Sequence, residues 1–383
     1  MNYVRVFIRA TVRFTSALRV ESGEEAAVAD RLLKTINNTR DPKFADWEQC
    51  QQVLKIDRPI NRYRRVYLRN GRAAIPASSF RGLWRRAATE TPIVDSYFGK
   101  SAEDEQHLSA GWLRISDLQL QDRGLLGAMR NLPMQERIAG TGVTQGIRID
   151  PITGTAAEGA FWAYEYVPAG AQFELDAQIV PPHGHLITTA HLEYLVGALS
   201  KVGSCPALAI GHATSKGFGL AEVKINQIRA LDAASLKSWL SSGGPLRRAQ
   251  KDILIKPKMA TASKPIVLDL HFPFGLLAGE PMLSRPKQKS NEPAIQGGSK
   301  ENAKQQYTRD ANGMPMVRGS TLKGLLRGHA TRIMATAIAA APPNINALSA
   351  TDAAKLALSS LFGDTKKRSR LSITDATWPT SDV

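Results

Sequence analysis

This chain of 383 residues is poor in cysteine and in acidic residues. Its two cysteines, Cys50 and Cys205, are too few for a disulfide framework or for a zinc site built from thiolates. No apolar run approaches the ~18 residues of a membrane span. Arginines also interrupt the apolar residues near the N terminus, where a secretory signal would need a continuous run. We therefore expect a cytoplasmic protein without a membrane partner.

The excess of basic residues is the main compositional feature. Fifty lysines and arginines minus 34 aspartates and glutamates give a net charge of +16. A chain with this charge favours an anionic partner, and nucleic acid is the first candidate. The hydrophobic content of 43% is ordinary for a folded protein and argues against global disorder. At about 150 residues per domain, the length predicts two or three domains.

Two stretches of the chain share residue types in the same order. Residues 75–85 read IPASSFRGLWR, and residues 317–327 read VRGSTLKGLLR. Alternating apolar residues, typical of half-buried strands, precede them at 4–14 and 266–274. The landmarks that follow are Phe98-Gly99 with Asp117 in one copy and Phe362-Gly363 with Asp375 in the other. Four ordered matches predict a tandem repeat.

The repeat divides the chain into a complete copy and an incomplete one. We expect a first domain at residues 1–228, a helical piece with a linker at 229–264, and a second domain at 265–383. The second copy stops soon after its aspartate-containing strand, so it contains only the first half of the pattern. Either the sequence is truncated or another chain completes this fold.

Each repeated motif lies where a loop turns into a helix. Pro76 ends the preceding strand, and Ser78 or Ser79 is suited to cap the helix that follows. Backbone amides, hydroxyl groups and cations at a helix N terminus suit a phosphodiester. A single motif is more often an ordinary cap, but its recurrence favours anion binding. The predicted binding residues are Ser78, Ser79, Arg81 and Arg85, and in the second copy Ser320, Thr321, Lys323 and Arg327.

Residues 55–86 form the most basic stretch of the chain. Ten lysines and arginines are opposed by one acid, Asp57, and Tyr63, Tyr67 and Phe80 are interleaved with them. This mixture suits contact with both the phosphates and the bases of a single strand. A solvated charged surface is the alternative, but it explains so one-sided a charge less well.

Two further segments have the glycines and turn residues of functional loops. Residues 140–156 read as a loop and a long hairpin, with a returning strand at 160–167. This hairpin is either a wedge between nucleotides or a surface connection. Residues 211–219 read GHATSKGFG and precede a strand, and their glycines permit close approach of a phosphate chain.

Taken in order, these motifs resemble the RAMP superfamily, and within it the repeating backbone subunit of type III CRISPR effector complexes. The chain looks like a tandem fusion of two such subunits, although Ala77 replaces the usual glycine and residues 25–53 look like an insertion. The resemblance implies an α+β fold with two ferredoxin-like domains of the RNA-recognition type. The first would be complete with a thumb hairpin, and the second partial.

The resemblance also implies roles for individual residues. The two Ser-Ser and Ser-Thr motifs, with Arg81 and Lys323, would hold phosphates of the guide RNA. The hairpin containing Ile147 and Arg148 would be the thumb that kinks the guide–target duplex. The loop that would lie along the guide contains Lys216, Gly217, Phe218 and Gly219. The implied partners are a crRNA guide, a complementary target RNA and other CRISPR effector subunits.

Catalytic subunits of this family carry an aspartate on the loop before the serine motif, and Asp57 in KIDRPI matches it. An ionised Asp57 would help a ribose 2′-hydroxyl attack the adjacent phosphate, while a divalent cation, expected to be Mg²⁺, stabilises the developing charge. Nearby arginines favour the ionised carboxylate. A structural ion pair is an equal alternative. The second copy offers Glu292 at the aligned position.

The resemblance thus implies a metal-dependent endoribonuclease that binds guide RNA and cleaves paired target RNA. Two alternatives remain: a backbone subunit without cleavage, and an endoribonuclease that processes guide precursors. A histidine-based processing enzyme would need a histidine in the basic stretch, and residues 55–86 contain none.

Overall fold

The structure is a computed structural model that describes residues 2–27, 62–70, 72–89, 91–100, 110–121, 141–149, 156–243, 245–255, 267, 269–271, 279–280, 306–307, 316–340, 349–364, 366–367 and 369–377. The strands are β1 (Asn2–Tyr3), β2 (Arg5–Phe14), β3 (Glu21–Ala27), β4 (Arg62–Val66), β5 (Leu68–Arg69), β6 (Arg72–Ile75), β7 (Leu113–Ile115), β8 (Leu118–Leu120), β9 (Gly142–Ile149), β10 (Ala156–Tyr166), β11 (Gln172–Ile179), β12 (Ile187–Thr188), β13 (Ala221–Leu231), β14 (Lys251–Asp252), β15 (Gly279–Glu280), β16 (Gln306–Tyr307), β17 (Met316–Val317) and β18 (Ala376–Thr377). The α-helices are α1 (Ala77–Ala87), α2 (Thr91–Phe98), α3 (Thr189–Lys201), α4 (Ala233–Ser242), α5 (Leu246–Ala249), α6 (Gly319–Ala340) and α7 (Ala350–Phe362).

The main sheet is built on β2, whose alternating residues are sorted between two faces. Its even-numbered apolar residues, such as Val6 and Ile8, are buried, while Arg9 and Arg13 on the other face are exposed. β2 lies between β13 and β11, and β11 also pairs with β7 and β8. Strands and helices follow each other as β2, α1, β7 with β8, β11, α3 and β13. This is the βαββαβ order of a ferredoxin-like fold, as the sequence predicts.

Helices α1 and α3 supply the apolar layer against this sheet. Phe80 and Trp84 of α1 are fully buried, and Trp84 Nε1 donates to the carbonyl oxygen of Leu195 in α3 at 3.0 Å. α3 begins where it does because the Thr188 hydroxyl accepts from the amide of His191. The packing of α1 therefore depends on a helix from the second half of the domain.

A second sheet contains the hairpin that the sequence predicts. Its strand order is β3, β4, β10 and β9, with β9 and β10 antiparallel and an irregularity in β10 between Ala156 and Phe161. The buried carboxylate of Glu165 accepts from the amide of Val66 at 3.0 Å and from the hydroxyl of Thr141. This carboxylate connects three segments and satisfies their buried donors.

By compactness the chain divides into two units. The first comprises Met1–Val20, Tyr67–Arg130 and Val167–Val267, and the second comprises Glu21–Val66, Asn131–Tyr166 and Leu268–Val383. The hairpin sheet thus groups with the second-copy helices, where the Arg318 guanidinium lies 5.3 Å from the ring centroid of Tyr166. The boundaries expected from the repeat do not anticipate this grouping, because they follow chain order.

The helices of the second copy are less buried than those of the first. α6 packs on α7, yet Leu325, Leu326 and Ile333 are 58%, 48% and 70% exposed. Leu326 aligns with Trp84, which α3 covers in the first copy. Within the part of the second copy that the structure describes, no helix corresponds to α3. The incomplete repeat therefore has a direct consequence for packing.

Two sequence expectations differ from the structure around the junction of the copies. Of the second predicted strand at 266–274, the described residues 267 and 269–271 adopt no strand. β13 runs to Leu231 and pairs with β14, so part of the predicted linker at 229–264 belongs to the first sheet. The helical piece in that segment is present as α4, which Asp232 caps by accepting from the amide of Ser235 at 2.7 Å.

Candidate RNA-binding site

The start of α1 is held by a carboxylate that lies 40 residues further along the chain. Asp117 accepts from the amide of Ala77 at 2.9 Å, from the hydroxyl of Tyr67 at 3.1 Å and from the guanidinium of Arg69. Pro76 precedes the helix and provides no capping side chain. The prediction that Ser78 or Ser79 caps α1 is therefore wrong, because Asp117 already accepts from its first amide.

The second copy repeats this arrangement at the start of α6. Asp375 accepts from the amide of Gly319 at 2.7 Å. A Cβ atom on Gly319 would lie 2.2 Å from the carbonyl oxygen of Ile373, so only glycine fits here. The two helix starts are therefore the same structural unit, down to the aspartate that holds them.

Because Asp117 holds the helix, the serine hydroxyls of the first turn are available for another partner. Ser78 and Ser79 are both exposed. In the second copy Thr321 is exposed and Ser320 is half-buried. Each helix start therefore presents hydroxyl donors to solvent beside the positive end of a helix dipole.

The basic residue that follows the hydroxyl motif points inward in both copies. Arg81 Nη2 donates to the carbonyl oxygen of Phe98 at 3.0 Å. Lys323, only 8% exposed, donates from Nζ to Ser369 Oγ at 2.7 Å and to the carbonyl oxygen of Leu371 at 3.0 Å. Arg81 thus ties α1 to the Phe98-Gly99 pair, and Lys323 ties α6 to the segment after Phe362-Gly363. These hydrogen bonds compensate for the burial of the two cations. Their assignment as phosphate ligands stays a prediction.

The other predicted cations on these helices have different surroundings. Arg85 is half-buried, with Nη2 3.8 Å from a carboxylate oxygen of Asp95. Arg327, at the aligned position of α6, is exposed. An exposed arginine is free to turn toward a phosphate, whereas Arg85 shares its charge with an acid of the neighbouring helix.

The glycine-rich loop at residues 211–219 is buried at Thr214 and at residues 217–219, whereas Gly211 and His212 are exposed. Phe218 is 3% exposed, and Gly217 and Gly219 are buried with φ angles of +86° and +80°. A Cβ atom on Gly219 would lie 1.9 Å from the carbonyl oxygen of Ile210. Of the four predicted contact residues in this loop, Lys216 alone is half-buried rather than buried.

The predicted thumb residues are described through their backbone. Ile147 and Arg148 lie on β9, where Ile147 pairs with Phe161 of β10. The predicted catalytic Asp57 and its counterpart Glu292 lie outside the described residues. In the structure Ser78, Ser79 and Thr321 are exposed and Lys216 is half-buried. The catalytic role of Asp57 stays a prediction.

A protein-family model identifies the family to which this fold belongs. The family model of the RAMP superfamily matches residues 11–222 and 269–381. The chain belongs to the RAMP superfamily. The first match extends from within β2 to the start of β13 and so contains α1, α2 and α3, and the second, shorter match contains α6, α7 and β18, which confirms the predicted tandem fusion. Among curated proteins, none matches the chain.

Membership makes this RAMP protein a CRISPR-associated RNA-binding protein. In the segments that the structure covers, no helix is long and apolar enough to cross a bilayer. Among the same residues, no group of three histidine, cysteine, aspartate or glutamate side chains is placed to hold a metal ion. The expectation of a divalent cation rests on the predicted role of Asp57.

The sequence identifies Asp117 and Asp375 only as landmarks of the repeat. It does not show that each of them accepts a hydrogen bond from the first amide of a helix. Both aspartates follow an apolar strand pattern, and they occur at the same place in the two copies. This recurrence is the sequence signal that could have indicated their structural role.

The paired aspartates should respond to pH in opposite directions. The amide of Ala77, with Arg69 and Tyr67, lowers the pKa of Asp117, whereas burial raises the pKa of Asp375. The Asp117 contribution to stability is therefore complete above the unfolded pKa of about 3.9 and is lost as pH falls through the lower folded pKa. The Asp375 contribution is complete below that unfolded value and is lost as pH rises through the higher folded pKa.

Matched amide substitutions test this difference. At about pH 7, D117N should lower the free energy of unfolding by about 1 kcal/mol, because charge-assisted hydrogen bonds become neutral ones. D375N keeps an acceptor for Gly319 and removes the buried charge, so its stability relative to wild type should improve between about pH 3 and pH 7. Urea unfolding at both pH values provides the measurement. If the stabilities of the two variants relative to wild type changed equally with pH, the opposite pKa shifts assigned to Asp117 and Asp375 would be contradicted.

Proposed function

We propose that this RAMP protein is a backbone subunit of a type III-like CRISPR ribonucleoprotein that binds guide RNA and cleaves the target RNA paired with it. The observation that carries RNA-backbone binding is the duplicated helix start. In each copy an aspartate from a distant strand turn accepts from the first amide. The exposed hydroxyls of Ser78, Ser79 and Thr321 are thereby left for phosphate oxygens.

The charge of the chain supports the same proposal. A net charge of +16 offsets phosphate repulsion along a strand, and it favours binding that is independent of base sequence. The proposed partners are a crRNA guide, its complementary target and neighbouring effector subunits. Each of the two helix starts would contact phosphates of the guide.

Cleavage is assigned to Asp57 with Mg²⁺ as the expected cofactor. Bound there, the cation would supply charge stabilisation at the scissile phosphate. Asp57 would orient and deprotonate the attacking 2′-hydroxyl. Lys55 and Arg58, on either side of it in sequence, would keep its carboxylate ionised.

His185 and His191 give little support to the alternative of histidine-based guide processing. His191 Nδ1 lies 3.1 Å from the hydroxyl of Tyr97, and the His185 ring packs 5.5 Å from that of Trp112. Both belong to an aromatic cluster, and neither lies on the helix start. A backbone subunit without cleavage has the same fold and the same RNA, and it differs only in Asp57.

A double variant at the exposed hydroxyls tests guide binding. S78A/S79A should weaken binding of a repeat-derived guide RNA about tenfold, since it removes two hydrogen-bond donors to phosphate. The loss should be equal for guides of different sequence. Filter retention is a suitable measurement.

The matched control is S241A/S242A on α4. These hydroxyls are also exposed, but they donate to carbonyl oxygens of their own helix. Full affinity is expected for this variant. Unchanged binding by S78A/S79A, or a loss that depends on guide sequence, would contradict the proposed site.

A further inference from the structure

An apolar stripe runs along one side of α6. Leu326, Ile333 and Ala337 are exposed, and Ala330 is half-buried. Their spacing of three or four residues places them on the same side of the helix, one above the other. We call these four residues the α6 stripe. Single exposed apolar residues are ordinary, but a contiguous stripe is typical of a surface that another element covers.

The first copy shows which element covers the aligned position. Leu326 aligns with Trp84 of α1, which is fully buried and donates to the carbonyl oxygen of Leu195 in α3. α3 brings an apolar face to this contact, because Leu192, Leu195 and Leu199 are all buried. The repeat therefore indicates that an amphipathic helix fits the α6 stripe. Leu326 has no N–H group in its side chain, so a helix would contact it by apolar packing alone.

The charges of α6 indicate which amphipathic helix fits. α6 contains Lys323, Arg327 and Arg332 and no acidic residue. Arg327 directly follows Leu326, and Arg332 directly precedes Ile333. At about 100° per residue, these two exposed arginines lie on opposite flanks of the stripe. Carboxylates beside the apolar face of an incoming helix would be attracted to them, whereas lysines there would be repelled.

We infer that the α6 stripe binds an acidic amphipathic helix of a partner protein, which packs on it as α3 packs on α1. Burial of the apolar side chains supplies the affinity, and the arginines on the flanks select the charge of the partner. This interaction requires neither guide RNA nor cleavage. It therefore goes beyond the proposed function and is tested independently of it.

Two peptides with the apolar pattern of α3 (Thr189–Lys201) serve as probes for the partner helix. Both keep its buried leucines and are stapled on the polar side, and circular dichroism verifies that they are helical. The acidic peptide has A190E and K201E beside Glu193, and the basic peptide has A190K and E193K beside Lys201. The full chain should bind the acidic peptide, and the basic peptide about fivefold more weakly. Fluorescence anisotropy measures binding, and amide hydrogen exchange in α6 should slow when the acidic peptide is bound.

Matched glutamate substitutions at two exposed leucines test the position of the docked helix. L326E would place a carboxylate beneath the acidic peptide, so the affinity should fall at least about tenfold. L356E adds the same charge on α7, outside the α6 stripe, at a leucine that is 63% exposed. Its affinity should stay within about twofold of wild type. Melting curves followed by circular dichroism verify that both variants are folded.

Four results would overturn the inference. Neither helical peptide binds at concentrations up to about 1 mM, or L326E binds the acidic peptide no more weakly than L356E does. Equal affinity for the two peptides would contradict the charge selection. Displacement of the peptide by guide RNA would assign the stripe to RNA instead. If sedimentation shows a wild-type dimer that L326E alone dissociates, the occupant is a second copy of this chain.

Discussion

Replacing Trp84 with alanine is expected to destabilise the first unit by about 3–5 kcal/mol, the usual range for deleting a buried aromatic side chain. Trp84 is fully buried, and its ring packs edge-on against Phe98 at a centroid distance of 6.0 Å. The substitution would also remove the donor to the carbonyl oxygen of Leu195 and so disconnect α1 from α3. Urea unfolding followed by far-ultraviolet circular dichroism measures the loss.

The matched control is alanine at the aligned residue of the second copy, Leu326. This side chain is 48% exposed, so L326A should change the free energy of unfolding by less than about 1 kcal/mol. The contrast follows because α3 covers the first position and has no counterpart in the described second copy. Similar losses in the two variants would show that the second helix is buried as deeply as the first.

The second large effect is expected at Asp57. D57A should slow cleavage of guide-paired target RNA by at least about 100-fold, since it removes the group that activates the attacking hydroxyl. Guide binding should stay within about twofold of wild type, because the proposed phosphate contacts are assigned to other residues. E292A serves as the matched control in the second copy and should retain cleavage. Single-turnover cleavage of a labelled target with Mg²⁺ present separates chemistry from product release.

Other outcomes of that assay identify the alternatives. Cleavage by D57A at the wild-type rate would contradict the catalytic assignment. Absence of cleavage by the wild-type complex would leave a backbone subunit with a structural role. Specific cutting of precursor repeat RNA without any target would instead identify a processing endoribonuclease.

Local patterns in the sequence were sufficient to predict much of the fold. The alternation along residues 4–14 predicts β2, because neighbouring residues on a strand point to opposite faces. The order of motifs predicts the repeat, and the turn residues predict the hairpin of β9 and β10. The alternation and the turn residues lie within short windows of the chain, and the repeat is apparent from comparing such windows in the two copies.

The features that could not be predicted from the sequence depend on contacts between residues that are far apart in the chain. Asp117 holds α1 from 40 residues away, so the serines that resemble a helix cap are left exposed. Arg81 and Lys323 look like surface cations by their position in a basic motif, yet both donate to backbone carbonyls. The backbone hydrogen bond between Arg19 and the glycine-rich loop likewise could not be predicted, because the two segments are far apart in the chain.

Binding of a repeat-derived guide RNA by the wild-type chain, measured from about 50 to 200 mM salt, tests the central claim that this protein holds an RNA strand by its phosphates. If each of the two helix starts binds one phosphate, log K should fall with log salt with a slope of about −1.4 or steeper, at about 0.7 for each phosphate contact on a single strand. Failure to bind at the lowest salt, or an affinity that does not change with salt, would contradict the account.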